Sequence, residues 1–229
     1  MRILDLFSGA GGAAMGLHLY WPDAEILGVD IAPQPHYPFA FEQADAMGYP
    51  LAGYDLIWVS PPCQGYSVMR HLPWLKDKDY PLLIEPIRER LEAQTTPWIL
   101  ENVMGAQRIA RMDANWLCGT MFGKRFYRHR VFQTSFPWLM PLHLEHQWVV
   151  RGSRLLSGRA RTIVFSREAR HRGVMRRGDE FTKTNTLAKA PRRVLEAAKS
   201  EMEIDWMTAS DLSQAIPPCY SRYLAQWVR

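Results

Sequence analysis

Apolar residues along this chain fall into two alternating rhythms. Short apolar runs, each stopped by glycine, proline or an acid, occur at RILDLF (2–7), AEILGVDI (24–31), YDLIWVSPPC (54–63) and PWILENV (97–103), and they read as buried strands. Between them AGGAAMGLHLY (10–20) and IEPIRERLEAQ (84–94) carry apolar residues at helical spacing. Strands that alternate with helices predict an α/β fold with a doubly wound, mostly parallel sheet, Rossmann-like in build. RHRVFQTS (128–135) reads as a later strand. From about residue 136 the rhythm changes, with Pro137, Pro141, His143 and His146 and then an Arg/Gly/Ser-rich stretch, 151–180, whose one strand candidate is TIVF (162–165). Helical patterning returns at RVLEAAKSEM (193–202) and YSRYLAQWV (220–228). The layout expected is a body at 1–139, a small basic insertion at 140–190, and a segment at 191–229 that returns to the body.

Charge sharpens this division. Residues 151–193 hold 13 Lys/Arg and 3 Asp/Glu, whereas the rest of the chain holds 15 and 20. An acidic body thus carries one strongly basic segment, the footprint of a polyanion partner or of a solvated loop. Composition is that of a core-forming protein, 47% hydrophobic and 22% charged, and no apolar run has the length of a membrane span. MRILDLFSGAGG lacks the pattern of a signal peptide, and Cys63, Cys118 and Cys219 are too few and too far apart for a disulfide framework. A reducing, intracellular setting is expected. No metal centre is expected either, because no CxxC pair occurs and no partner residues cluster in sequence around His143 and His146.

Two loops carry candidate chemistry. Phe7-Ser8-Gly9-Ala10-Gly11-Gly12 follows a strand and opens a helix, and Asp30 ends the next strand 21 residues after Gly9. Glycines let backbone approach a ligand closely, and the acid suits ribose hydroxyls. These residues alone fit a nucleoside-containing cofactor or a mere tight turn. Asp45 is a further acid in reach of an adenine amine. Ser60-Pro61-Pro62-Cys63-Gln64-Gly65-Tyr66-Ser67 ends the third predicted strand, where such folds place ligands. A lone cysteine is usually a packing residue. Here Glu101-Asn102-Val103 ends the following strand, so a thiol and a carboxyl group converge on one edge.

These segments together resemble the cytosine-C5 DNA methyltransferase family. DLFSGAGG (5–12) resembles its cofactor loop, SPPCQGYS (60–67) its nucleophile motif, ENV (101–103) its glutamate motif, Arg128-His129-Arg130 its Arg-x-Arg motif, and QAIPP (214–218) its last motif. The resemblance spans about 3–135 and 206–228, and LCGTMFG (117–123) with RHRVFQTS looks most like phage-encoded members. Ser213-Gln214 stands where the family usually has Gly-Asn, and Phe126 where it usually has Gln.

The resemblance implies S-adenosylmethionine as methyl donor, held by Phe7, Gly9, Gly11, Gly12, Asp30, Ile31, Asp45, Pro61 and Gln214. It implies Cys63 as nucleophile at C6 of a flipped-out cytosine. Glu101 is then set against N3, Arg130 against O2, and Arg128 beside the cysteine loop. A free thiol titrates at about 8.5, so the two arginines are expected to assist its ionisation. Double-stranded DNA is the implied partner, contacted by Gln64, by Arg70 in a lid over residues 65–80, and by Arg170, Arg172, Arg176 and Arg177 of a target-recognition region. RNA, tRNA above all, is the alternative substrate, and a carboxylated relative of the cofactor the alternative donor. A monomer in a bacterial or phage-infected cytoplasm is expected.

Overall fold

The computed structural model describes residues 1–67, 79–143, 163–164 and 192–229. Five parallel strands, β1 (Arg2–Leu6), β2 (Glu25–Asp30), β3 (Ala40–Gln43), β4 (Leu56–Val59) and β5 (Trp98–Asn102), are joined by β6 (Asn115–Leu117) and β8 (Arg130–Thr134) in one sheet of order β3-β2-β1-β4-β5-β8-β6. Only β8 is reversed; it runs antiparallel to both β5 and β6. The expected mostly parallel, doubly wound α/β fold is what the chain adopts. A small second ladder pairs β7 (Phe126–Tyr127) with β9 (Ile163–Val164), so the TIVF strand lies parallel to the chain just before β8.

Alternation along each strand builds two cores. Ile3, Leu56, Trp58, Ile99 and Phe132 face one layer, and Leu4, Leu6, Ile57, Val59, Leu100 and Val131 face the other. A sheet covered on both faces needs apolar side chains at nearly every central position, which is why these strands read as unbroken runs. The first layer takes α1 (Gly12–Tyr20), α4 (Arg192–Met202), α5 (Ala209–Gln214) and α6 (Pro218–Ala225). The second takes α2 (Ile84–Glu92), which buries Ile84, Ile87 and Leu91, and the short α3 (Gly105–Ile109).

The small residues of α1 have a specific use. A Cβ at Gly12 would stand 2.3 Å from the Ile216 carbonyl oxygen, and one at Gly16 would stand 2.1 Å from that of Pro218. The absence of side chains there lets the C-terminal segment lie directly against the helix that opens the glycine loop. Ser221 Oγ donates to the Ala13 carbonyl at 2.7 Å, and Trp206 Nε1 to that of Ala10 at 2.9 Å. Residues 206–225 therefore complete the first half of the fold.

Candidate active site

Sheet register sets the site. Leu6 of β1 pairs with Val29 of β2 and Val59 of β4, and Val59 pairs with Leu100 of β5. The residues that follow, Phe7, Asp30, Ser60 and Glu101, therefore emerge side by side along one carboxyl edge. The strand order reverses direction at β1, so the crevice between β1 and β4 is where an open α/β sheet receives ligands. The reversed β8 starts at this same edge and delivers Arg130 beside β5.

On the β1–β2 side the glycine loop is held open. Phe7, Gly9 and Gly11 all have left-handed backbone, with φ of 55°, 49° and 83°. For a phenylalanine that conformation is costly, and such strain concentrates at functional loops. A Cβ at Gly9 would enter empty space, whereas one at Gly11 would strike Pro38 at 2.7 Å. Asp30 fastens the loop: its Oδ2 accepts from Gly9 N and its Oδ1 from Ala32 N, each at 3.0 Å. Its neighbour Ile31 is 71% exposed, an apolar surface uncovered at the rim of the crevice. Ala44 N donates to the Asp30 carbonyl at 3.1 Å, which sets the exposed Asp45 next to this rim. Gln214, the exposed last residue of α5, lies between Ser213 and Ile216, and Ile216 is the residue that touches Gly12. Phe7, Gly9, Gly11, Asp30 and Ile31 thus lie at the carboxyl ends of β1 and β2, with Gln214 beside the segment that touches Gly12.

On the β4–β5 side the Pro61-Pro62-Cys63 loop is locked to β5. Asn102 Nδ2 donates to the Pro61 carbonyl at 2.9 Å, while its Oδ1 accepts from Val103 N. After Cys63 the chain makes a 3-10 turn, Gln64–Tyr66, with Gln64 exposed and Tyr66 fully buried. A Cβ at Gly105 would meet the Tyr66 carbonyl oxygen at 2.1 Å, and one at Gly65 would meet Leu82 at 2.7 Å. Residue 65 and residues 80–82 are in contact, and residues 68–78 of the expected lid lie outside the described residues. Arg70, within it, lies outside the described residues, as do Arg170, Arg172, Arg176 and Arg177.

Glu101 and Arg130 form the polar centre. Arg130 Nε stands 3.1 Å from Glu101 Oε1, with both side chains at most 10% exposed. Arg130 Nη1 also donates to the His129 carbonyl at 2.8 Å. Ser60 Oγ accepts at 2.7 Å from Nε1 of the buried Trp58, and the Ser60 hydroxyl favours the charged form of Glu101. Burial pushes the Glu101 carboxyl above its ordinary range, against the pull of Arg130, Arg128 and Ser60. The carboxyl group is almost wholly removed from water, so burial outweighs the attraction of the ion pair.

Cys63 answers to the same charges. Burial raises its thiol above the usual value, Arg130 and Arg128 oppose this, and Glu101 adds to it. The expectation that the arginines favour the thiolate has the right sign, but burial outweighs them in the free protein. Arg128 is fully buried and its Nη2 donates to the Ser213 carbonyl at 3.0 Å, while its own carbonyl accepts from Tyr220 Oη at 2.5 Å. Sequence reasoning set Arg128 beside the cysteine loop. Its hydrogen bonds also tie it to the C-terminal segment, so the glycine loop and the Arg-x-Arg strand share one brace.

The motifs contained Ser60 and Asn102 without disclosing what they hold, and did not disclose Trp58 or Tyr220. A buried tryptophan needs a partner for its N–H, and Ser60 two positions on was the one visible signal. A second grouping was also unforeseen. The fold brings Cys118 and His129 to His143, with their Sγ and ring nitrogens all within 4.8 Å of one another. Burial, His143 and Arg130 lower His129 to about 4, and burial lowers His143 as well. His146 lies outside the described residues.

No family model and no curated protein matches the chain. Among solved structures it aligns with the plantazolicin methyltransferase BpumL in complex with SAH at 18% identity and a TM-score of 0.32, over 45% of this chain. The aligned part spans 39% of that chain's length. It also aligns with an RNA methyltransferase from Salinibacter ruber in complex with S-adenosyl-L-homocysteine, at 17% identity, a TM-score of 0.30, and 63% and 86% of the two chains. Among the described residues no helix is long and apolar enough to cross a membrane.

Proposed function

We propose that the protein transfers a methyl group from S-adenosylmethionine to C5 of a cytosine in DNA. The observation that carries this reading is the Glu101–Arg130 pair beside Cys63: a carboxyl group whose pKa is raised and a guanidinium 3.1 Å apart, both acting on one thiol. Cytosine presents N3 and O2 on adjacent ring atoms. A protonated Glu101 donates to N3, Arg130 donates to O2, and the two together draw electron density from the ring.

Cys63 Sγ then adds to C6 as its proton passes to solvent. The C5–C6 π pair moves to C5, which becomes the nucleophile. The cofactor, when bound, supplies an electrophilic methyl group. Asp30 would hold ribose hydroxyls, Ile31 would cover one face of the adenine, and the open side of Gly9 would leave room for the chain that carries the sulfonium. Removal of the C5 proton by a base then expels Cys63 and restores aromaticity. Inside a duplex the base is out of reach, so it must be flipped out at a cost of a few kcal/mol. The basic segment of 13 Lys/Arg supports a nucleic-acid partner and favours backbone contacts, which position the protein without reading sequence.

The test uses oligonucleotides that carry 5-fluorocytosine. Fluorine cannot leave as a proton does, so wild type with donor should form an adduct stable to denaturation, and Cys63→Ser should form none while still binding the cofactor. Matched DNA and RNA oligonucleotides separate the two nucleic acids. An adduct on RNA alone, or undiminished turnover in Cys63→Ser, would overturn the proposal.

A further inference from the structure

The catalytic edge leaves one group of chemically potent side chains unused. Cys118 directly follows β6, His129 lies between β7 and β8, and His143 ends the run of described residues before the basic segment. In sequence they are 11 and 14 residues apart; in the fold their ligand atoms lie within 4.8 Å of one another. We infer that Cys118, His129 and His143 bind a zinc-class cation, one that pins the start of β8 to the end of β6 and to the chain that leads into the basic segment.

Three observations carry the inference. The first is the donor set. One thiolate and two imidazoles suit a borderline-soft ion and suit magnesium or calcium poorly. Zinc bonds to sulfur and nitrogen of about 2.0–2.3 Å put the donors of a tetrahedral site roughly 3.5 Å apart, so the cluster need contract by only about 1 Å. The second is preorganisation. The Trp116 ring meets the His129 ring edge-on at 5.1 Å between centroids and the His143 ring likewise at 4.7 Å, so one indole orients both imidazoles. The third is a supporting bond, from the Thr120 hydroxyl to Cys118 Sγ at 3.4 Å, of the kind that steadies a ligating thiolate.

Position gives the site its purpose. His129 separates Arg128 from Arg130, so an ion on its ring would fix the backbone from which both arginines project. It would also anchor the near end of the basic segment to the sheet. Cys118, His129 and His143 act here as positioning residues.

The test takes the full chain without a histidine tag. Metal analysis of protein grown with zinc should find about one equivalent per chain. After chelation, cobalt(II) should give a thiolate-to-cobalt charge-transfer band and the strong visible bands of tetrahedral geometry. Cys118→Ser should abolish the charge-transfer band, while Cys63→Ser and Cys219→Ser should keep it. His143→Ala, at a partly exposed position, should weaken cobalt binding by at least the roughly 10–100-fold that loss of a supporting group costs. Should Cys118→Ser fail to fold, as judged by circular dichroism, the His143→Ala titration decides alone. A wild-type cobalt spectrum without the charge-transfer band, or one unchanged in either variant, would reduce the group to a hydrogen-bonded cluster and overturn the inference. None of these readouts depends on methyl transfer, so the two proposals fail separately.

Discussion

Ser60→Ala is the most informative single change to the carboxyl edge of the sheet. The Ser60 hydroxyl accepts from the buried Trp58 Nε1 at 2.7 Å and favours the charged form of Glu101. Its removal strands the indole N–H inside a fully buried strand, which costs about 1–3 kcal/mol. In a domain of this size each kcal/mol moves Tm by about 2–4 °C, so calorimetry should show a fall of roughly 2–12 °C. The second effect is electrostatic. Ser60 favours the charged carboxylate, so its loss moves the Glu101 pKa still higher. If the proton on Glu101 is what meets cytosine N3, the basic limb of the single-turnover rate must move to higher pH. The assay is transfer of a labelled methyl group to DNA in single turnover across pH, with scanning calorimetry on the same preparations. A Tm within about 1 °C of wild type together with a superimposable pH profile would refute the reasoning.

Three further outcomes are expected. Glu101→Gln should lower kcat by roughly 10²–10³ with little change in KM, the mark of an interaction made in the transition state; a large rise in KM at constant kcat would exclude that role. Alkylation of Cys63 by iodoacetamide in the free protein should rise with pH to an inflection above the ordinary thiol value of about 8.5, because burial outweighs the arginines. Glu101→Gln should bring that inflection down by removing a neighbouring negative charge, and an inflection at or below the ordinary value would contradict the burial argument. Gly16→Ala would set a Cβ 2.1 Å from both the Pro218 carbonyl oxygen and Ser221 Oγ; overpacking and the weakened Ser221 bond together cost about 2–4 kcal/mol, and thermal melts should show a loss of roughly 5–15 °C.

The central strands were legible in the sequence because burial on both faces makes them unbroken apolar runs. β3 and β6 were not. AFEQ at 40–43 is a largely exposed edge strand with two polar residues, and NWL at 115–117 is too short to show any period. The reversal of β8 also escaped notice, since strand direction leaves no mark in hydrophobic patterning. Within the site, Cys63, Glu101 and the two arginines were readable because each sits in a distinctive local string. The partners that hold them were not. Asn102 meets the Pro61 carbonyl across 41 residues and Arg128 meets Ser213 across 85, pairings that only sheet register and the returning C-terminal segment create. The Cys118, His129 and His143 grouping was missed for the same reason, because it depends on the β6–β8 pairing.

The packing of α6 on α1 has a kinetic consequence. Ser221 closes on Ala13 across 208 residues, and Trp206 on Ala10 across 196. Contacts of such long range require loop closure before they stabilise anything, which slows folding. A chain still emerging from the ribosome therefore has its sheet strands β1 to β5 but lacks the surface against which Gly12 and Gly16 must rest. The glycine loop of a nascent chain stays unsupported until residues 206–221 arrive, so its rigidity reports the folding of that returning segment rather than the presence of the N-terminal motif.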